Sequence, residues 1–245
     1  MPRRERPIQT SRSEHWLRVS VNDARDFLSA QITRAFGWSN SERIDWRSPV
    51  EEDSYAEYFD QAFLDRLSIQ PSRIPLTAFW PTGGPRWDAL ATTDSGRVLL
   101  VEAKAHIDES VDYRSEASAE SYRRIEESLA AAKSAFRAAD RSNWESPFYQ
   151  YANRLAHLYF LRELNGFDAY LLFLYFADAP DVPEPCSTDE CRGAIRLTKR
   201  CLGLGSHPYV SQVKDLIVSV PDLLSNTALN ADARQADCAR PPRAG

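Results

Sequence analysis

The chain lacks several features that common classes of protein require. No apolar run approaches the roughly 18 residues of a membrane-spanning helix, and the longest candidate, residues 169–177, has the length of a strand. The N-terminus has no apolar signal-peptide core, so the sequence predicts a cytoplasmic protein without membrane contact. With 245 residues and 43% hydrophobic content, the chain can bury a substantial core in one domain.

Cysteine and histidine are scarce, with four of each. Cys186, Cys191 and Cys201 cluster, but the intervals of four and nine residues between them match no standard zinc motif. Cys238 lies apart, in a tail rich in Ala, Arg and Pro. No two histidines are spaced as a zinc-binding pair on a helix. We therefore expect free thiols rather than a zinc centre.

Familiar motifs for phosphate binding and nucleophilic catalysis are also missing. Gly83-Gly84 is not followed by the Gly-Lys-Ser/Thr ending of a phosphate-binding loop, and no Gly-x-Ser-x-Gly motif occurs. A net charge of −5 argues against a protein that coats nucleic acid, although a local basic surface would still suffice for binding. Two arginine clusters offer such a surface or are ordinary solvated charge: Arg3, Arg4, Arg6 and Arg12, and Arg114, Arg123 and Arg124.

Two short segments joined by a tight turn carry the main chemical signal. Residues 83–90 and 98–106 have the pattern of strands, and Asp94-Ser95-Gly96 between them is a turn cluster. The second segment is an apolar run that ends in three polar side chains at alternate positions. The sequence therefore predicts a β-hairpin with polar residues at one end.

This hairpin should bring acidic and basic side chains together. Because side chains alternate along a strand, Glu102, Lys104 and His106 share one face. Folding about the turn places Asp88 opposite residue 102 or 103, and cross-strand neighbours have Cβ atoms roughly 4.5–5.5 Å apart. We therefore expect Asp88, Glu102 and Lys104 to converge at the end of a buried strand.

Such a convergence favours a site for a divalent cation. Two close carboxylates repel each other, and an unpaired buried charge is costly. Mg²⁺ often uses only one or two carboxylates plus water, so Asp88, Glu102 and the backbone carbonyl of Ala103 could hold Mg²⁺ or Mn²⁺. Lys104 could then orient a metal-activated water or neutralise charge on a phosphate. These parts predict metal-assisted phosphodiester hydrolysis, and the alternative is a salt-bridged strand end without chemistry.

Asp88 followed by Glu102-Ala103-Lys104 on the next strand resembles the signature of the PD-(D/E)xK nuclease superfamily, the restriction-endonuclease-like and RecB-like enzymes. Trp87 stands where the motif has proline. The resemblance covers the hairpin closely and residues 50–180 in element order. It implies a restriction-endonuclease-like α/β fold, a three-layer α/β/α sandwich with a central mixed sheet. It also implies that Asp88 and Glu102 bind metal and that Lys104 is catalytic.

The resemblance implies supporting residues outside the hairpin as well. RecB-like enzymes carry Gln-x-x-x-Tyr on a helix after this strand, and here Gln150 is followed by Arg154, so only Gln150 is carried over. The family often adds an acidic residue from a helix before the hairpin, and periodicity favours Glu52 over Glu57. His106 is either a further supporting group or a cap of the strand end. Some RecB-like enzymes hold an iron–sulfur cluster on cysteines, but no cysteine precedes the motif here as a fourth ligand.

Periodicity and capping signals predict the remaining elements. Helices are expected from residue 20 to 37 and over 51–67, 118–138, 148–164 and 188–202. Further strands are expected over 74–80, 168–176 and 213–220, with a packed connection over 38–50. The buried stripe of the helix over 118–138 is Ile125, Leu129, Ala132 and Phe136. The polar stripe of the helix over 148–164 is Gln150, Asn153, Arg154 and His157.

These observations define a domain plan and two functional hypotheses. We expect a flexible arm over residues 1–12, one nuclease-like domain over 13–224 and a disordered tail over 225–245. The first hypothesis is metal-dependent hydrolysis of nucleic acid, with DNA preferred to RNA as the partner. The second is a non-catalytic module that keeps the fold and binds a partner through its sheet face or its aromatic surface. Sequence specificity, endonuclease or exonuclease action, and oligomeric state, including a homodimer, are left open.

Overall fold

A five-stranded sheet organises the chain. The structure, a computed structural model, describes residues 3–4, 12–112 and 118–227. The strands are β1 (Arg3–Arg4), β2 (Ile44–Ser48), β3 (Glu57–Tyr58), β4 (Ala89–Thr93), β5 (Val98–Lys104), β6 (Ala169–Ala177) and β7 (Val213–Ser219). The α-helices are α1 (Arg12–Asn22), α2 (Arg25–Phe36), α3 (Gln61–Arg66), α4 (Leu76–Phe79), α5 (Ala119–Ala135), α6 (Tyr149–Tyr159) and α7 (Thr188–Cys201). A π-helical turn over Phe160–Leu164 continues α6, and residues 220–227 are also helical.

The sheet is mixed, with strand order β2-β4-β5-β6-β7. The first three strands form an antiparallel meander. β6 and β7 then join in parallel, each after a connection that contains helix. The prediction of an α/β fold whose mixed sheet begins with an antiparallel meander is confirmed.

Alternate residues of β5 face different helices. Leu99 and Val101 belong to one buried cluster with Leu17 of α1 and Ile32 of α2. Leu100 belongs to the other cluster, which contains residues of α5, α6 and α7. Helices therefore cover both faces of the sheet, as in a three-layer sandwich. The even-numbered residues that end β5 point toward the face that carries α5 and α6.

Most elements predicted for the second half are confirmed. α5 begins after Ser118, whose hydroxyl accepts from the Ser121 backbone N–H at 3.2 Å. Its predicted stripe is buried. α7 opens with the predicted capping box between Ser187 and Glu190. In these segments local signals and tertiary burial agree, so pattern alone located them.

The helix predicted over residues 51–67 is wrong. Ser54 and Tyr55 have φ of +52° and +55°, and this left-handed backbone ends a 3₁₀ turn over Glu51–Asp53. β3 and the short helix α3 follow. The apolar residues whose spacing predicted this helix are partly or fully buried, but they belong to several elements rather than to one helix face; they are Tyr55, Phe59, Ala62 and Phe63.

Three other predictions near the N-terminal half need correction. The strand over 74–80 is the single helical turn α4, which starts after Pro75. The connection over 38–50 contains the edge strand β2, whose alternating burial is short and interrupted by charged residues. The helix expected between residues 20 and 37 is two helices, α1 and α2. Gly37 ends the second at φ +67°, as its position predicted.

The ends of the chain contribute a few described residues. In the predicted arm, β1 pairs antiparallel with β3, and Arg12 begins α1. In the predicted tail, residues 225–227 are helical. Arg6, Arg114 and Cys238 lie outside the described residues, as do the rest of the arm and of the tail. Within the described part of the chain, no helix has both the length and the apolar character needed to cross a bilayer.

Candidate functional site

The β4–β5 hairpin has the register that the sequence predicted. Ala89 pairs with Val101 and Leu90 with Leu100, so continuing the ladder by one residue sets Asp88 against Glu102. The backbone N–H of Ala103 donates to Asp88 Oδ2 at 2.8 Å. Asp88 therefore sits at the open end of the ladder, with its carboxylate tied to the backbone between the two other polar residues of the motif.

Glu102 is the most enclosed member of the group, with a side chain 3% exposed. Lys104 Nζ lies 2.7 Å from Glu102 Oε1, and Arg154 Nε donates to Oε2 at 2.7 Å. Arg154 comes from α6 and also donates to the backbone carbonyl of Arg86 at 2.8 Å. The carboxylate is thus held between a lysine on its own strand and an arginine on the covering helix.

Arg154 is the site residue whose role sequence reasoning missed. Its guanidinium also donates to Asn153 Oδ1 at 2.8 Å and lies 4.8 Å from the ring centroid of Trp87. The signal was present as a polar stripe on an otherwise apolar helix. The sequence did not indicate that Glu102 is the partner of Arg154, because only packing brings residues 102 and 154 close together.

Charge and burial push the two carboxylates in opposite directions. Burial alone would raise the pKa of Glu102, but Arg154 and Lys104 outweigh it and lower that pKa. Burial, together with the nearby Glu102 carboxylate, raises the pKa of Asp88 to about 8. Burial would lower the pKa of Lys104, yet Glu102 and Asp88 raise it. These shifts favour the ionised form of Glu102, the charged form of Lys104 and the protonated form of Asp88.

Gln150, carried over from the family resemblance, does reach the site. Its Oε1 accepts a hydrogen bond from Lys104 Nζ at 2.5 Å. Asn153, one turn further along α6, also lines the site, whereas His157 is buried among aromatic rings. Three residues of the predicted polar stripe, Gln150, Asn153 and Arg154, therefore line the site, and the fourth, His157, belongs to the core.

Asp112 is a second residue that the sequence did not reveal. It is half-buried, lines the same cleft, and its Oδ2 accepts from the Gln150 backbone N–H at 2.7 Å. Its Oδ1 is buried and accepts no hydrogen bond from any residue in the described ranges. Burial raises the pKa of Asp112 to about 6. Residue 112 follows an irregular segment, where no periodic pattern could single it out.

These side chains form the floor of a cleft of about 990 Å³. Its walls are the start of α1, the loop over residues 80–86, residues 108–112, and the N-terminal turns of α5 and α6. The loop is fixed by Asp60, whose carboxylate accepts from the backbone N–H groups of Gly83 and Gly84 at 2.9–3.1 Å. A Cβ on Gly84 would lie 2.6 Å from the Trp80 ring, so this close approach requires glycine.

The remaining predicted supporting residues fall on different sides of this cleft. Glu57 is buried and lines the cleft, whereas Glu52 is exposed and lies outside its lining. The preference for Glu52 is therefore corrected, because it depended on a helix that does not form. His106 is also outside the lining, and its Nδ1 accepts from the Asp108 backbone N–H at 3.1 Å. His106 thus caps the 3₁₀ turn that follows β5.

The donor atoms at the end of the hairpin fit a hard divalent cation. Register places Trp87 opposite Ala103, but the Trp87 backbone N–H donates to Tyr58 instead, at 3.1 Å. The Ala103 carbonyl therefore has no ladder partner in Trp87. With Asp88 and Glu102 it offers the oxygen ligands that Mg²⁺ and Mn²⁺ prefer. No group of three or more His, Cys, Asp or Glu side chains suited to a metal occurs among the described residues, so water would have to complete such a site.

The charge of the cleft adds to this fit. Acidic side chains outnumber basic ones in its lining. The acidic residues are Glu14, Glu57, Asp88, Glu102, Asp108, Glu109 and Asp112, and the basic ones are Arg12, Arg86, Lys104 and Arg154. Even with Asp88 protonated, the lining is net negative. A divalent cation would offset the repulsion between this lining and a phosphate.

The three clustered cysteines differ in their burial. Cys186 and Cys191 are buried free thiols, and Cys201 is an exposed free thiol. Burial raises the pKa of Cys186 and of Cys191, so both thiols stay protonated at neutral pH. These three cysteines therefore form no disulfide in the described part of the chain.

Comparison of the chain with protein-family models, with curated proteins and with solved structures finds no match. A functional assignment therefore depends on the geometry of the cleft and on the chemistry of its residues.

Proposed function

We propose that this chain is a metal-dependent nuclease that hydrolyses phosphodiester bonds, with DNA as its substrate. The observation that carries the proposal is the hairpin register, which gathers Asp88, Glu102, Ala103 and Lys104 on the floor of one cleft. A mixed sheet with an antiparallel start and helices on both faces is the architecture that the resemblance to PD-(D/E)xK nucleases implies. A restriction-endonuclease-like fold is part of this proposal.

The residues that would hold Mg²⁺ or Mn²⁺ are Asp88 and Glu102, with the carbonyl of Ala103. When bound, such a cation activates water and offsets charge on a phosphate. Arg154 fixes the Glu102 carboxylate in place, because it occupies Oε2 and is itself anchored to the Arg86 carbonyl. The other carboxylate oxygen, Glu102 Oε1, is therefore directed toward Lys104 and the cleft.

Lys104 acts as a cationic donor rather than as a base. Its ammonium donates to Gln150 and pairs with Glu102, and its pKa is raised, so it carries no lone pair for a proton. Its third N–H is available to orient the attacking water or to neutralise a phosphate oxygen as charge develops there. Arg12 and Arg86, both exposed in the cleft wall, can contact the flanking phosphates.

A cleavage assay tests the proposal directly. Purified protein is incubated with plasmid, single-stranded DNA and RNA, each with Mn²⁺ or with chelator. We expect Mn²⁺-dependent cleavage of DNA that Asp88→Asn abolishes, because this substitution keeps size and shape but removes the ionisable carboxyl group that would bind the cation. Cleavage that continues in chelator, or that is unchanged in Asp88→Asn, would show that the site does not use these ligands.

One observation favours a second candidate, a non-catalytic module that binds a partner. Both oxygens of Glu102 are already engaged by cationic side chains, so its charge is balanced without a metal. Titration calorimetry with Mn²⁺ separates the two functions. Binding that disappears in Asp88→Asn supports the nuclease, whereas no binding to the wild-type protein supports the module.

A further inference from the structure

The first turn of α6 has no cap from its own neighbouring residues. Phe148, the residue before the helix, makes no side-chain capping bond. The first N–H groups of a helix have no partner within the helix and need acceptors from elsewhere. One acceptor comes from 38 residues upstream, where Asp112 Oδ2 accepts from the Gln150 backbone N–H at 2.7 Å. Asp112 therefore does the work of a cap across tertiary structure.

A backbone contact reinforces this link. The Asp112 N–H donates to the carbonyl of Pro147 at 2.7 Å, and residues 112 and 148 form an isolated parallel bridge. Asp112 thus contacts the start of α6 with both its backbone and its side chain. Its position and that of the first helical turn are tied together.

The side chain of Gln150 carries this position to the centre of the site. Gln150 Oε1 accepts from Lys104 Nζ at 2.5 Å, and the same ammonium lies 2.7 Å from Glu102 Oε1. Lys104 is the last residue of β5, and a lysine side chain has four flexible bonds. Its ammonium therefore stays over Glu102 only while its two acceptors hold it there.

We propose that Asp112 is a positioning residue for Lys104, acting by capping α6 and thereby fixing Gln150. The chemical importance of this position rests on the proposed nuclease function, but the positioning itself does not. Asp112 need not touch substrate in this role. Asp112 determines where the Lys104 ammonium is held. It does so through three consecutive hydrogen bonds that join Asp112, Gln150, Lys104 and Glu102.

Nuclear magnetic resonance of the lysine side chains tests this link without any activity. The chain has four lysines, Lys104, Lys133, Lys199 and Lys214, so ¹⁵Nζ labelling gives a spectrum that single variants can assign. In Asp112→Ala we expect the Lys104 Nζ protons to exchange with water about fivefold faster, the population change that a typical lost cap produces. Unchanged exchange at Lys104 would overturn the proposal.

Matched variants separate positioning from general loosening. Asp112→Asn keeps an acceptor for the Gln150 N–H and should restore slow exchange, whereas exchange as fast as in Asp112→Ala would count against capping. Ser187→Ala removes the cap of α7, remote from the cleft, and should leave Lys104 unaffected. Asp112→Glu keeps the charge but displaces the acceptor, so it provides the same comparison if Asp112→Ala does not fold.

A final variant tests the middle link. Gln150→Leu removes the acceptor for Lys104 but keeps the backbone N–H that Asp112 binds. We expect it to accelerate exchange at Lys104, and Asp112→Ala should then add nothing further. Additive effects would mean that Asp112 acts by another route. If the wild-type protein fails to cleave DNA, the proposed function falls, while these measurements still decide the role of Asp112.

Discussion

Two carboxylate–lysine pairs lie on the same face of the sheet, one in the cleft and one between β7 and α7. Glu102 pairs with Lys104 on β5, and Asp215 of β7 pairs with Lys199 of α7. The register puts Glu102, Phe173 and Asp215 in one row across three parallel strands. The same elementary contact therefore occurs twice, about two strand spacings apart.

The surroundings of the two pairs differ. Asp215 has a neutral second partner, the Tyr151 hydroxyl at 3.2 Å, and burial raises the pKa of its carboxyl despite Lys199. Glu102 has two cations and a second carboxylate beside it, and its pKa is lowered. Tyr151 also stacks on Phe173 at 3.6 Å between ring centroids, outside the cleft lining. The candidate reactive pair, Glu102 and Lys104, therefore differs from the other pair in two respects other than burial. Two cations lie beside its carboxylate, and it faces an open cleft.

The largest expected difference between the two regions is in stability. Arg154→Met leaves Glu102 buried with only one cation and should lower the free energy of unfolding by about 3–5 kcal/mol. Lys199→Met should cost only about 1 kcal/mol, because the lysine side chain is 36% exposed and the buried Asp215, whose pKa is already raised, can take up a proton once its cation is lost. Urea unfolding measures both. Equal losses would show that the two pairs are energetically alike.

The next difference concerns activity. Lys104→Met should reduce DNA cleavage by about 10²–10³-fold, the usual effect of removing one preorganised donor from a reaction site. Lys199→Met, the matched change in the other pair, should cleave as the wild type does. Circular dichroism of both variants controls for folding. Wild-type rates in Lys104→Met would remove its assigned role.

A smaller effect comes from a buried group that lacks a compensating charge. His157 is enclosed by aromatic rings beside Arg154, and burial lowers its pKa to about 3. Between the ordinary histidine pKa of about 6.5 and this value, only the unfolded chain gains the proton. The contribution of His157 to stability should therefore fall as pH is lowered through this window, by about 1.4 kcal/mol per pH unit.

His157→Phe provides the control for that pH dependence. Removing the titrating ring should abolish this contribution between pH 6.5 and 5. Asp88 and Asp112, with raised pKa values of about 8 and about 6, affect stability in both proteins, so the difference between the two proteins isolates His157. Unfolding midpoints measured across this range for both proteins give the comparison. If the two curves of stability against pH are parallel, His157 is not the source of the pH dependence. The charged pairs then dominate the pH dependence in this range.

Sequence reasoning succeeded where local pattern and tertiary burial coincide. The hairpin is one case, because a glycine turn at Gly96 and alternating side chains fix its register without reference to the rest of the chain. It failed over residues 51–67, where apolar spacing suggested one helix but left-handed residues at 54 and 55 divide the segment. For the same reason the sequence favoured Glu52 as the acidic residue of the cleft, whereas the structure places Glu57 there.

The amino-acid sequence by itself determined which side chains end β5 and that Asp88 lies across from them, since strand alternation and a short turn are local properties. Only the tertiary structure decided that Arg154 holds Glu102 and that Asp112 caps α6. The residues in these two contacts are separated by 52 and by 38 positions in the sequence, and packing of α6 against the sheet brings them together. No periodicity records such pairings, because their partners are selected by shape and charge after the elements have formed.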